Sequence, residues 1–348
     1  MNKLSKIIVS LMASFALSFS AFAGELTVTG TAKATYSTLS GDVTGDNTIG
    51  IANELKFAAS GELDNGFTWD YFMELDPDGT AEGGSALNDD TSFAVTTPYG
   101  VVKACASECG LGAHGAFSQN AYAWITDTAY AEGKTEPVNI SSYSSMQYHT
   151  PADLLPFSTV FKAAYAPSGS KVLQSANKSN TAKSATISNT TQYRVTTVPM
   201  DGLELNASYS EQDGGDVSGA TDEQKSESGT VVVEYAVGSF KIGAGKSWIA
   251  PQIANVTGSG ATTVEHTKNT DISLAFAVND DLSVSYGERE VEYDKASATN
   301  VTEEGEGIAI AYTMGSMKIA GNRNEVQNNA GTSGSDDSMT EIALSFAF

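Results

Sequence analysis

Large apolar residues recur at every second position through most of this chain, and the residues between them are small or polar. At 25–36, Leu26, Val28, Gly30, Ala32, Ala34 and Tyr36 share one parity, while Thr27, Thr29, Thr31, Lys33 and Thr35 share the other. A period of two places successive side chains on opposite faces of a strand. The pattern is plainest at 67–76. There Phe67, Trp69, Tyr71, Met73 and Leu75 face one way, and Thr68, Asp70, Glu74 and Asp76 face the other. The chain ends on the same beat, with Ile342, Leu344, Phe346 and Phe348 against Glu341, Ala343, Ser345 and Ala347. A strand with one oily face and one wet face, sustained for about ten residues, suits lipid outside and water inside.

Followed through the chain, the beat predicts sixteen strands, at 25–36, 51–63, 67–76, 91–97, 101–107, 138–149, 157–166, 186–198, 203–210, 230–237, 240–248, 267–278, 282–292, 307–313, 317–323 and 339–348. The connections alternate as well. Short turns lie at 64–66, 98–100, 151–156, 199–202, 238–239, 279–281 and 314–316. Long polar segments lie at 37–50, 77–90, 108–137, 167–185, 211–229, 249–266, 293–306 and 324–338. Asp64-Asn65-Gly66 is a strong hairpin signal, because Asn-Gly accepts the positive φ of a tight turn. Short turns on one rim and long loops on the other describe a transmembrane antiparallel β-barrel, all-β, with an even strand count and both termini at the short-turn rim. A barrel of this size encloses an aqueous channel.

Met1 to Ala23 breaks the pattern. Lys3 and Lys6 precede the apolar run 7–19 and the small-residue site Ala21-Phe22-Ala23. This is the layout of a cleaved export signal, so residues 1–23 are expected to be removed and residues 24–348 to form a single barrel domain. The formal charge of −23, with only three arginines (Arg194, Arg289 and Arg323), excludes a nucleic-acid partner. No cofactor motif, zinc spacing or calcium loop occurs, and no Ser/His pair stands out, so neither an enzyme nor a metal protein is expected.

The signal, the strand count, the alternation of loops and the terminal Phe348 together resemble the general porins of the Gram-negative outer membrane, over 24–348. That resemblance implies a homotrimer among membrane lipids and lipopolysaccharide, and a passive pore for small solutes and ions. It also implies a third loop folded into the lumen, and an assembly signal at the C-terminus, here Phe346 and Phe348. The third long segment, 108–137, is not uniformly polar: it carries Leu111, Phe117, Tyr122, Trp124 and Ile125. Its run Asp127-Thr128-Ala129-Tyr130 is similar to part of the porin constriction loop, so Asp127, Glu132 and Glu136 are candidates for carboxylates at the narrowest point.

Inward parity selects Lys33, Lys56, Lys162, Arg194 and Arg289 as basic wall residues, and Glu54, Asp70, Glu74 and Glu204 as acidic ones. A net negative lumen and cation preference are therefore expected. The expected function is diffusion of small hydrophilic solutes. A substrate-selective channel of the same fold and a non-conducting structural barrel are the alternatives. Most aromatics have outward parity, as interface girdles require. Cys105 and Cys109 are too far apart to bridge in an extended strand, but a bend at Ser107-Glu108 brings them within reach. A local disulfide is expected in an exported protein, with two free thiols as the alternative.

Overall fold

The computed structural model describes residues 25–42, 47–76, 87–106, 109–111, 121–122, 140, 144–167, 187–214, 223–251, 253–254 and 264–348. The proposed export signal therefore lies outside the described residues, as do Asp127, Glu132 and Glu136.

The strands are β1 (Glu25–Gly41), β2 (Thr48–Glu62), β3 (Thr68–Asp76), β4 (Leu87–Thr97), β5 (Gly100–Ala106), β6 (Ser145–His149), β7 (Val160–Ala166), β8 (Ile187–Met200), β9 (Leu203–Gly214), β10 (Glu223–Gln224), β11 (Ser226–Val237), β12 (Phe240–Ala250), β13 (Ile253–Ala254), β14 (Val264–Ala277), β15 (Leu282–Lys295), β16 (Thr302–Met314), β17 (Met317–Gln327) and β18 (Asp337–Ala347). All but β10 and β13 form one closed antiparallel barrel, sixteen strands in sequence order. β10 and β13 pair only with each other, as a small ribbon between two of the long connections. The barrel closes where β1 meets β18, with Tyr36 opposite Ile342 and Lys33 opposite Ser345. Closure satisfies every strand edge, which a barrel in lipid requires.

The termini meet at the short-turn rim. Gly30 N–H donates to Phe348 O at 2.7 Å, and Phe348 N–H donates to Gly30 O at 2.9 Å. A Cβ on Gly30 would stand 2.7 Å from the Phe348 ring, so only glycine lets that ring lie on β1. The Asn-Gly hairpin forms as expected: Gly66 adopts φ 79°, and Asn65 Oδ1 accepts from Phe67 N–H at 3.1 Å.

β6 spans only Ser145–His149 of the expected 138–149, and Ile140 instead packs with Leu111, Ala164 and Ala166. Two further boundaries depart from the sequence reading. β7 begins at Val160 rather than at 157, because Pro156–Ser158 form a 3-10 turn with Phe157 at φ 60°. The apolar parity of Phe157 is met by exposure at the rim rather than by strand pairing. The other departure lies at the long-loop rim, where β1, β9, β11, β15, β16 and β17 run past their predicted limits. β15 has 14 residues and β16 has 13, against the roughly ten that cross a bilayer.

The extra length has a different outer surface. Lower on the wall, Ile272 (59% exposed), Ile308 (58%) and Ile342 (60%) face outward, and so large an apolar belt is stable only against lipid. Above it the outward residues of β15–β17 become Glu288, Glu290, Glu292, Glu304, Glu306 and Glu325. The transition is marked by Tyr286, whose hydroxyl donates to Glu288 Oε1 at 2.6 Å. Nearby, Glu211 and Asp213 hold Lys225 Nζ at 2.9 and 3.2 Å, which raises the pKa of that loop lysine. On β9, β16 and β17 these carboxylates broke the apolar alternation in the sequence, which is why those strands read as shorter than they are; β15 was read through its glutamates to 292.

Candidate functional site

The lumen gathers charged and polar side chains from every strand of the barrel. Its third connection crosses it. Near the start of that connection, Leu111 N–H donates to Gln192 Oε1 on β8 at 3.0 Å. Further on, Ala121 N–H donates to Ser285 Oγ on β15 at 2.7 Å, and Lys318 Nζ on β17 donates to Ala121 O at 3.2 Å. The Tyr122 hydroxyl donates to Glu341 Oε1 on β18, whose other oxygen accepts from Ser37 Oγ at 2.6 Å. Lys318 Nζ also stands 6.0 Å from the centre of the Tyr122 ring, within cation–π range. The third loop is thus folded into the lumen, held at β8 on one side and at β15, β17 and β18 on the other.

This divides the inner wall in two. On β9–β17 the inward side chains are small, mostly neutral and buried: Asn206, Ser210, Ser228, Thr230, Ser247, Asn269, Ser273, Ala309 and Asn324 among them. Part of the cover comes from the last long connection. Asn329 and Gly331 are buried, Ala330 N–H donates to Glu303 Oε2 at 2.7 Å, and Lys295 Nζ donates to Gly331 O at 2.7 Å. Two ion pairs lie in this wall among the described residues: Lys241 Nζ and Glu234 Oε1 are 2.7 Å apart toward the short-turn end, and Arg289 Nε and Asp271 Oδ1 are 2.5 Å apart with both side chains shielded from water.

On β1–β8 the lower inner wall stays open and charged. Lys33 on β1 is half-buried. Lys56 Nζ lies 2.8 Å from Glu54 and 3.3 Å from Glu74, and Asp70 is exposed. His149, Lys162 and Arg194 occupy one hydrogen-bonded row across β6, β7 and β8, and Lys103 stands one step higher on β5. Arg194 Nη2 donates to Asn206 Oδ1 at 2.6 Å, and Asn206 Nδ2 donates to Glu204 Oε1 at 2.7 Å. An Arg held by a neutral amide keeps most of its field for the lumen.

Each expected wall residue thus has a place. Lys33, Glu54, Lys56, Asp70, Glu74, Lys162 and Arg194 share the β1–β8 wall, while Arg289 sits apart in the covered one. The sequence reading passed over Lys103, His149, Lys318, Glu341 and Tyr122. Lys103 has the same parity as Cys105, and Glu341 the same parity as Ala343, so parity alone would have found both. Gln192 and Tyr122 carry no such signal, since their roles depend on where the loop lands. The acid excess expected at inward parity does not appear among the described residues of the open wall. On β1–β8, Lys33, Lys56, Lys103, Lys162 and Arg194 stand against Glu54, Glu62, Asp70, Glu74 and Asp90. Unlike most aromatics of the strands, Tyr293 faces inward, and its hydroxyl donates to Glu303 Oε2 at 2.9 Å.

Cys105 and Cys109 are joined, with Sγ atoms 2.05 Å apart and Cα atoms 6.1 Å apart. The chain bends back directly after β5, at the root of the loop.

A sequence model described as Gram-negative porin matches residues 8–348. No curated protein is similar enough in sequence to match. Solved structures are similar in fold. One is an anion-selective porin from Comamonas acidovorans, at TM-score 0.67 and 12% identity, covering 93% of this chain and 100% of its own. A loop L8 deletion mutant of OmpT from Vibrio cholerae gives 0.66 at 14% identity, covering 94% and 100%. OmpF of Salmonella typhi, in complex with daunomycin, gives 0.64 at 13%, covering 94% and 98%.

Proposed function

Because this chain belongs to the Gram-negative porin family and is an outer-membrane porin channel, we propose that it carries small hydrophilic solutes and ions by passive diffusion, with a preference for cations. The observation that carries the diffusion reading is the open, charged, half-exposed wall of β1–β8 inside a closed barrel. Water needs such a path, and a filled lumen would not leave charges half-exposed. The cation preference rests on the acid excess of the whole chain, 42 against 19, and on the outward carboxylates at the long-loop rim. These raise the local cation concentration at the mouth. It also rests on Asp127, with Glu132 and Glu136, as constriction-loop acids. If Asp127→Asn leaves both conductance and selectivity unchanged, that assignment falls.

One observation favours a second reading. The row of His149, Lys162 and Arg194, with Lys103 above it, is a basic stripe on the open wall, and it would favour anions. A salt gradient across a planar bilayer decides: cation preference gives one sign of the reversal potential, anion preference the other, and no conductance at all from folded protein sinks the diffusion reading. Several further features are part of the same proposal. Residues 1–23 are removed on export, and residues 24–348 form one barrel domain. Three copies associate in the outer membrane among lipids and lipopolysaccharide, and Phe346 and Phe348 serve assembly. The protein catalyses no reaction.

A further inference from the structure

We propose that the Cys105–Cys109 disulfide is a clasp that fixes the root of the third loop against the inner wall, and so holds the loop in its pore-narrowing position. The proposal rests on the channel reading above only for its electrical consequence. An extended chain would separate these Cα atoms by about 13 Å; here they are 6.1 Å apart, because the chain turns inward as soon as β5 ends at Ala106. The turned segment is then tied to the wall. Gln147 Nε2 on β6 donates to Cys109 O at 2.6 Å, and Gln192 Oε1 on β8 accepts from Leu111 N–H at 3.0 Å. Both glutamine side chains are buried, so neither contact competes with bulk water.

The other foot of the loop lands in the same place. Leu111 and Ile140, which are 2% and 0% exposed, form one apolar cluster with Ala164 and Ala166 of β7. An apolar patch on the inner wall of a water-filled barrel needs a cover. The two feet supply it for each other. This arrangement depends on the angle at which the chain leaves β5. Without the bridge, residues 105–109 are free to relax toward the extended form. Leu111 then leaves the cluster, and the loop keeps only its far anchors at Ser285, Lys318 and Glu341. So short a covalent ring adds little to global stability; its effect is local, on where the loop begins.

The test uses the folded, oxidised protein. A dithiol reductant attacks one Sγ to give a mixed disulfide. Its second thiol then closes onto the first, leaving two protein thiols and one oxidised reagent. Thiol labelling confirms completion, and heat-modifiable migration confirms that the barrel remains folded. Lys134 is the only trypsin site between Lys103 and Lys162, so cleavage there reads the loop alone. We expect reduction to speed that cleavage about tenfold, as local opening becomes easier, and to add sub-conductance steps to a previously quiet channel. The Cys105→Ser/Cys109→Ser variant, folded without the bridge, should match the reduced protein. Unchanged cleavage after complete reduction overturns the clasp. Faster cleavage in a folded barrel that never conducts supports the clasp and sinks the channel reading.

Discussion

The two halves of the inner wall are built from the same alternating strands, yet they differ in nearly every physical respect. The β9–β17 half is lined largely by buried Ser, Thr, Asn, Ala and Val, and its ion pair Arg289–Asp271 is closed off from water, while a second pair, Lys241–Glu234, lies nearer the short-turn rim. The β1–β8 half carries Lys33, Glu54, Lys56, Asp70, Lys103, Lys162 and Arg194, most of them half-exposed. Two connections reach into the lumen: the third loop is held at β8 and again at β15, β17 and β18, and the last long connection is bonded to Glu303 and Lys295. Inward parity is therefore necessary for a role in the pore but not sufficient.

The contrast can be broken most severely at the buried ion pair. Asp271→Ala leaves Arg289 in a dry wall without that carboxylate, and should cost about 3–5 kcal/mol. Replacing both residues by Leu should cost far less. The temperature at which the heat-modifiable band is lost measures each. If Asp271→Ala unfolds at the wild-type temperature, the site is wet and the two halves are alike.

A second, smaller effect belongs to the open wall. Reversing the stripe with Lys103→Glu, Lys162→Glu and Arg194→Glu should leave the barrel stable and raise the cation-to-anion permeability ratio roughly severalfold, since wall charges act directly on permeating ions. Reversal potentials in a salt gradient read this. An unchanged ratio would mean that ions pass elsewhere.

Smaller still is the far anchor. Glu341→Gln keeps one acceptor oxygen, for Tyr122 or for Ser37, but removes the charge and turns the other position into an amide donor, and should cost about 1 kcal/mol of loop anchoring. It should appear as noisier open-channel current rather than as a change in barrel stability. The smallest effect is expected at Arg323→Ala. Its bond to Glu325 lies on the exposed outer face, where such pairs contribute at most about 1 kcal/mol.

Much of the fold was legible in the sequence, for a physical reason. Period-two alternation such as that of Phe67 to Leu75 reports two solvents at once, and Asn65-Gly66 marks a turn without reference to the rest of the chain. The upper end of β16 was not legible. Once its outward residues rise above the lipid they become Glu306 and Glu304, and the contrast between the two faces vanishes. The pore wall was legible in part. Parity picked out Lys56 and Arg194, but it also picked out Arg289, which is buried in the wall against Asp271. Where a loop lands is a tertiary fact. Gln192 and Ser285 resemble many other polar wall residues until the loop's own N–H groups reach them.

The division of the lumen is tested most directly by thiol accessibility. Both native cysteines are consumed in the disulfide, so a single introduced cysteine is the one free thiol in the chain. A bulky charged methanethiosulfonate reagent would be added to open channels of Lys33→Cys, Lys162→Cys, Ser247→Cys and Asn269→Cys. The expected result is a rapid stepwise fall in conductance for the first two and none for the last two. Equal block at Ser247→Cys would contradict the account, because water would then run along the wall that the loop is held to close.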